Sequence, residues 1–245
     1  MATIHFMQQG KGGSGKTTTC AILAQYFEAK GFRTNCFDAD PVNATFSGYK
    51  DLNVSAIDIM NGEDIDPRRF DILIESILNL AQDEHHDTHV IIDSGASSFV
   101  PFCSYLLENQ TVKLLEDQGH TVLLHTVITG GQAMLDTLSG LKSLALHFSE
   151  TSIVVWLNSY FGEITQDGKY FEDFKVYSEV LHNIHAVISI PHRKHATFGV
   201  DIENIYLKRQ TFKSALSSGL SIIVKQRVKI FWREVMNEID KARLC

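Results

Sequence analysis

The chain of 245 residues reads as an α/β protein, a mostly parallel sheet with helices on both faces. Three observations lead there. Short apolar runs alternate with longer amphipathic runs along most of the length. Several of the apolar runs show no polar alternation, as strands covered on both sides must not. The first run also passes through a glycine-rich loop directly into a helix, the strand–loop–helix order of a phosphate-binding loop.

The elements follow in order. Ile4-His5-Phe6-Met7 is the first strand, and a helix over about 17–30 ends at Gly31, a residue suited to a left-handed cap. Thr34 to Asp40 is a second strand ending in two carboxylates, and Pro41, which cannot donate to a ladder, closes it. Residues 42–65 are mixed and polar, without a periodic signal. Asp66-Pro67 has the form of an N-cap followed by proline at the first helical position, and Phe70, Leu73, Ile74, Ile77 and Leu78 continue at helical spacing to 81. Asp83 to His89 reads as a polar loop. Its histidines and acids are metal-binding types, but ligands need held geometry, so solvated surface is expected.

Val90-Ile91-Ile92-Asp93 is a short strand ending in an acid. Helical material over about 98–118, a strand at 121–129, a Gly130-Gly131 break and a helix near 132–147 come next. A strand at 152–158 ends in Asn158, a helix lies near 170–184, and Ala186 to Ile190 is a last strand closed by Pro191. A final helix over 221–243 carries Val224, Val228, Phe231, Val235 and Ile239 as its apolar stripe. No repeat or linker divides the chain, so one domain over 1–245 is expected.

Composition narrows the function classes. With 44% apolar and 21% charged residues the chain is globular, and a formal charge of −7 gives no bulk attraction to nucleic acid or anionic lipid. The charge is uneven: residues 190–245 hold 11 Lys+Arg against 5 Asp+Glu, and the preceding part 11 against 24. Cys20, Cys36, Cys103 and Cys245 have no paired spacing, which speaks against a disulfide framework or a zinc ribbon. The N-terminal apolar run is too short for a signal peptide and no run is long enough to span a bilayer. The expectation is a cytoplasmic protein.

The chemistry centres on Gly10-Lys11-Gly12-Gly13-Ser14-Gly15-Lys16-Thr17-Thr18. Glycines let backbone N–H groups turn inward around phosphate, and the N-terminus of the following helix adds positive potential. Lys16 is the point charge for the β- and γ-phosphates, and the Thr17 hydroxyl is a ligand for Mg²⁺. Asp38 and Asp93 are the carboxylates expected on the metal's water, and Asp40 is the candidate for orienting the attacking water. In a parallel sheet all of these lie at carboxyl ends of strands and converge on one edge.

Lys11 with Lys-Gly-Gly-Ser-Gly-Lys-Thr-Thr resembles the deviant phosphate loop of the ParA/MinD family of P-loop ATPases. Phe37-Asp38-Ala39-Asp40-Pro41 matches that family's D-x-D-P switch, with Val42 where glutamine is common. Ile91-Ile92-Asp93 matches its strand and acid, whereas Ser94-Gly95-Ala96 replaces the usual proline-bearing switch. The resemblance implies an ATP- and Mg²⁺-dependent ATPase, weak in turnover, that cycles between monomer and ATP-bound homodimer. It also implies that Lys11 contacts nucleotide across the dimer, and that Asn158 and Pro191 contact adenine. Within the superfamily, Gln8 to Gly13 and Asp38 to Ser47 are most similar to the TraL-type proteins of plasmid conjugation operons, implying partners in plasmid transfer or partition. A nucleotide-gated recruitment module with negligible turnover is the second reading. A reductase of the nitrogenase iron-protein type shares the loop, but Cys103 has no partner at suitable spacing.

The basic C-terminal quarter has three readings: a covering helix with a solvated basic face, a DNA-binding face joined by Lys208, Arg209 and Lys213, or membrane attachment. The absence of a flexible linker disfavours the membrane. His192-Arg193-Lys194-His195 either lines the nucleotide pocket or is exposed.

Overall fold

The computed structural model describes residues 1–81 and 88–244. Seven parallel strands form the central sheet: β1 (Ala2–Met7), β2 (Arg33–Ala39), β3 (Ser55–Ala56), β6 (Thr88–Ser94), β7 (Thr121–Thr129), β8 (Ser152–Asn158) and β11 (Ile184–Ile190). Two small antiparallel ribbons complete the strand set, β4 (Met60–Asn61) with β5 (Asp64–Ile65) and β9 (Thr165–Gln166) with β10 (Lys169–Tyr170). The order in the sheet is β11-β8-β7-β1-β6-β2-β3. After β6 the chain crosses β1 to build the other half of the sheet. That reversal opens a crevice at the carboxyl end of β1, where open α/β sheets take their ligands.

Helices cover both faces. Helices α2 (Phe70–Ala81), α3 (Phe99–Glu108), α4 (Thr111–Asp117), α5 (Met134–His147) and α6 (Lys175–Val180) pack on the face formed by Ile4, Phe6, Ile92 and Leu124. Helices α1 (Lys16–Lys30), α7 (Val200–Leu207), α8 (Phe212–Ser217) and α9 (Ile222–Ala242) pack on the face of Met7, Ile91, Val127 and Trp156. Alternate residues of β1 thus feed different cores, as a strand period of two requires. From Thr19 to Phe27 every residue of α1 is buried, which suits a helix apolar around its circumference.

Asp66 accepts a hydrogen bond from the Arg68 N–H and starts a short 3-10 turn before α2, as its Asp-Pro sequence predicts. Three expected boundaries differ. The helix over 98–118 is two helices, because Gln110 takes a left-handed φ of 49°. The helix near 170–184 shrinks to α6 flanked by 3-10 turns, since Phe174 is extended. Thr88 and His89 are no loop residues: they lie buried within β6, while the rest of the expected loop, 83–87, lies outside the described residues. Sequence gave no signal for α7 or α8.

His89 belongs to a buried polar ladder that crosses four adjacent strands. Trp156 Nε1–H donates to His125 Nδ1 at 2.9 Å, and His125 Nε2 meets His5 Nδ1 at 2.9 Å. His5 Nε2 in turn meets His89 Nδ1 at 2.9 Å. Indole N–H can only donate, so its direction fixes every tautomer along the line: each imidazole is neutral and carries its proton on Nε2. The rings follow the diagonal of the sheet, each offset by two residues from the register partner of the next. His89 ends the ladder against Phe27, with ring centroids 3.4 Å apart and planes within 9°.

The C-terminal helix behaves as a cover. Val228, Phe231, Val235 and Ile239 are buried against the sheet, Val224 partly so. Among the described residues no helix is long and apolar enough to cross a membrane.

Candidate functional site

The glycine loop leaves β1 and closes on the first turn of α1. Gly15 caps that helix at φ 103°, and a Cβ there would meet Asn158 Nδ2 at 2.6 Å, so backbone angle and neighbour both call for glycine. Asn158 Nδ2 donates to the Ser14 carbonyl at 3.0 Å, and its Oδ1 accepts from the Tyr160 N–H at 3.2 Å. One amide therefore joins the end of β8 to the loop and caps the following turn. Within the loop, the Lys16 ammonium donates to the Lys11 carbonyl at 3.2 Å and the Ser14 hydroxyl to the same oxygen at 3.1 Å.

Lys16 is buried, and burial lowers its pKa while Asp93 and Asp40 act to raise it. The sheet register sets Asp38 of β2 beside Asp93 of β6, and Met7 opposite Asp93 on the other side. Thr17 Oγ1 donates to Asp93 Oδ2 at 2.5 Å, whereas Asp93 Oδ1 is buried without a hydrogen-bond partner. Burial pushes Asp93 up to about 7, the Thr17 hydrogen bond opposing and the Asp38 charge adding to the rise. A threonine hydroxyl beside a half-satisfied buried carboxylate is an oxygen donor set suited to Mg²⁺, which binds few protein oxygens and keeps several waters.

Asp38 and Asp40 are engaged locally. Asp38 accepts from the Asp40 N–H at 3.1 Å through Oδ1 and from the Ser47 N–H at 2.8 Å through Oδ2. It clasps the loop between β2 and the 3-10 turn at 46–48. Asp40 Oδ1 accepts from the N–H groups of Val42 and Asn43 at 2.9 and 3.0 Å, leaving Oδ2 for other partners. That carboxylate lies directly over Gly95, and Ser94 Oγ donates to the Met7 carbonyl at 2.5 Å. Ser94-Gly95 thus ties the segment after β6 to β1 and makes room for Asp40.

Lys11 points away from Lys16. Its ammonium pairs with Asp136 of α5 at 2.8 Å, both side chains being about half exposed. Buried Gln9 holds the same helix, its Nε2 donating to Thr126 Oγ1 and to the carbonyls of Val127 and Thr137 at 3.1–3.2 Å. The loop and α5 are therefore one mechanical unit.

A cleft of about 420 Å³ opens beside the loop. Gly13, Gly15 and Thr18 of the loop line it together with Asn158, Tyr160, Phe161 and Pro191. His192, Arg193 and His195 of the basic cluster after Pro191 also line it, with both histidines exposed, while Lys194 is exposed outside the lining. Glu203 accepts from Tyr160 Oη at 2.9 Å and lies 3.2 Å from His195 Nε2, so α7 holds the cleft's outer wall. Sequence reasoning missed Tyr160, Phe161, Asp136 and Glu203. Two aromatic residues directly after a strand-ending amide were the available signal for Tyr160 and Phe161. Asp136 and Glu203 had none.

The structure thus brings Gly10 to Thr18, Asp38, Asp40, Asp93, Asn158 and Pro191 to one edge of the sheet. Cys103 lies in α3 with Sγ 3.8 Å from Gln8 Oε1, and the described residues contain no group of three or more potential metal ligands. Of the C-terminal cations, Arg227 pairs with Asp201 at 2.5 Å, Arg193 with Glu234, and Lys241 with Glu238 at 2.6 Å.

Residues 6–195 match the CobQ/CobB/MinD/ParA nucleotide binding domain. Protein TraL of Escherichia coli is 47% identical over 244 residues, covering 99% of both chains. Among solved structures, the septum site-determining protein MinD of Pyrococcus horikoshii, complexed with Mg-ADP, superposes with a TM-score of 0.57 at 19% identity, covering 98% of this chain and 97% of that one. A putative plasmid partition protein of Borrelia burgdorferi bound to AMPPNP superposes with a TM-score of 0.51 at 14% identity over 98% and 99%. The two structures share the fold.

Proposed function

The chain belongs to the CobQ/CobB/MinD/ParA nucleotide-binding family, and on that ground we propose that it is a cytoplasmic, Mg²⁺-dependent ATPase of slow turnover serving plasmid conjugal transfer. One observation carries the reading: Thr17 and Asp93 meet at 2.5 Å beside the buried Lys16, at the mouth of a glycine loop. Backbone N–H groups of Gly10 to Gly15 and the Lys16 ammonium hold the phosphates, Thr17 and Asp93 hold the cation, and Asn158 and Pro191 border the base. Mg²⁺, when bound, neutralises charge on the β- and γ-phosphates. ATP-dependent homodimerisation brings Lys11 to the partner's nucleotide. A single domain suffices for this cycle.

Asp40 orients the attacking water. Asp40→Ala is expected to retain ATP binding and lose about a hundredfold or more of steady-state phosphate release, in the range of a removed general base. Full-rate turnover would remove Asp40 from that role. The reading as a whole is tested by calorimetric titration with ATP and Mg²⁺, then chromatography with and without ATP. No binding at millimolar nucleotide would end it.

A second reading, a partition ATPase that binds DNA non-specifically, draws on Lys208, Lys213, Lys225, Lys229 and Arg233. Among the described residues none of these has an ion-pair partner, in contrast to Arg227. Filter binding over a salt series separates the two, since phosphate contacts lose affinity steeply with salt. Phosphate release near zero, with ATP binding intact, would favour a recruitment module instead.

A further inference from the structure

Arg209 stands out because nothing among the described residues neutralises it and several features position it. It follows α7 with φ 50°, left-handed backbone rarely taken by a residue with a long side chain. Its N–H donates to the Tyr206 carbonyl at 2.9 Å and that of Gln210 to Ile205 at 3.0 Å, closing the helix as glycine usually does. The next residues are fastened elsewhere: Thr211 Oγ1 donates to Asp51 at 2.8 Å, and the Phe212 N–H to Gln25 Oε1 at 2.6 Å. Arg209 is thereby held over the turn at 46–48. A Cβ on Gly48 would stand 2.2 Å from Arg209 Cδ and 2.8 Å from its Nε, so only glycine lets the arginine lie there.

The residue lines the cleft, as do Gly13, Gly15, Thr18 and Thr45. Among the described residues its guanidinium has no carboxylate partner, whereas Arg193 and Arg227 have theirs. The site's own charges call for a cation: Asp38, Asp40 and Asp93 face Lys16, while Lys11 is occupied by Asp136. Burial pushes the Tyr49 hydroxyl up to about 12, with Arg209 opposing the rise and Asp93 adding to it.

We propose that Arg209 is a nucleotide-binding residue acting within its own subunit, its guanidinium gripping the phosphate chain in the cleft. This rests on the reading of the chain as a nucleotide-binding ATPase. A planar fork of N–H donors fits two phosphate oxygens at once. Because α7 and the 46–48 turn meet at this side chain, phosphate binding also draws the C-terminal helices onto the loop that Asp38 clasps.

ADP titrated calorimetrically into the full chain with Mg²⁺ tests it. Arg209→Gln and Arg209→Gly are expected to weaken ADP binding tenfold or more, and Gly48→Ala, which displaces the side chain, to do the same. Arg209→Gly should keep or raise Tm, because glycine relieves the left-handed backbone. Unchanged ADP affinity in Arg209→Gln, or a loss in Arg209→Gly that comes with a lowered Tm, overturns the proposal. So does intact ADP binding together with lost retention of duplex DNA on filters, which would make Arg209 a DNA contact. If the unaltered protein binds neither ADP nor ATP, the nucleotide reading itself has failed, a result distinct from these.

Discussion

Lys11→Ala is expected to weaken ATP-dependent dimerisation and to lower phosphate release, by less than the factor of about 10³–10⁵ for a finger residue supplied in trans, because turnover here is slow. Nucleotide binding by the monomer should stay mostly intact, because the groups that hold the phosphates there are the loop backbone, Lys16 and the proposed Arg209. The geometry separates the two lysines. Lys16 is buried and bonded to the loop's own carbonyl, while the Lys11 ammonium leaves the loop and pairs with Asp136 at 2.8 Å. Both partners of that pair are about half exposed, so it contributes only about 0–1 kcal/mol. A contact with phosphate on a second copy outcompetes such a pair readily. Asp136→Asn is therefore expected to shift dimerisation to an ATP concentration a few-fold lower, read by chromatography over an ATP series. Lys11→Ala with undiminished dimerisation would leave the lysine a surface residue.

What could be read in advance, and what could not, follows from the range of the interactions. The glycine loop is contiguous, so its nine residues, Gly10 to Thr18, declare themselves. Asp38, Asp93 and Asn158 were also legible, because a parallel sheet delivers every strand's carboxyl end to one edge. Their hydrogen bonds were not. Asp38 as a clasp on Ser47 depends on how a loop without periodicity folds back, and the register pairing of Asp38 with Asp93 is visible only once β2 lies beside β6. Lys11 and Asp136 are separated by 125 residues, and the cleft's α7 wall reaches Tyr160 through Glu203 across 43. Neither side chain carries a local mark of its partner. The helix over 98–118 was misread for a different reason: Gln110 takes a left-handed angle that its residue type does not announce. The covering role of α9 was legible, since a stripe at helical spacing needs a core whatever that core is.

His89 was read as loop because histidine counts as polar, yet its place in the ladder decides how the fold responds to acid. An unfolded histidine takes up a proton near pH 6.5, but burial lowers His5 well below that, His89 to about 4 and His125 to about 3, with His185 adding to the depression at His125. The folded chain holds all three neutral, and the line from Trp156 requires it, since a proton added to any acceptor nitrogen breaks a bond. The unfolded state therefore binds more protons below pH 6.5. Stability is full above that value and falls as pH drops toward 4, by about 4 kcal/mol per pH unit for three protons. Asp93, raised to about 7, and Asp38, also raised by burial, work the other way over the same range, leaving a net loss of about 1–3 kcal/mol per pH unit. Urea unfolding between pH 7.5 and 4.5 measures that slope. His89→Phe keeps the stack on Phe27 and removes one titrating group. It should lower stability at every pH by about 1–3 kcal/mol, the cost of a buried His5 donor left unpaired, while reducing the slope by about 1.4 kcal/mol per pH unit. A slope unchanged by that substitution would mean that His89 titrates alike in both states, and the ladder would then be packing and nothing more.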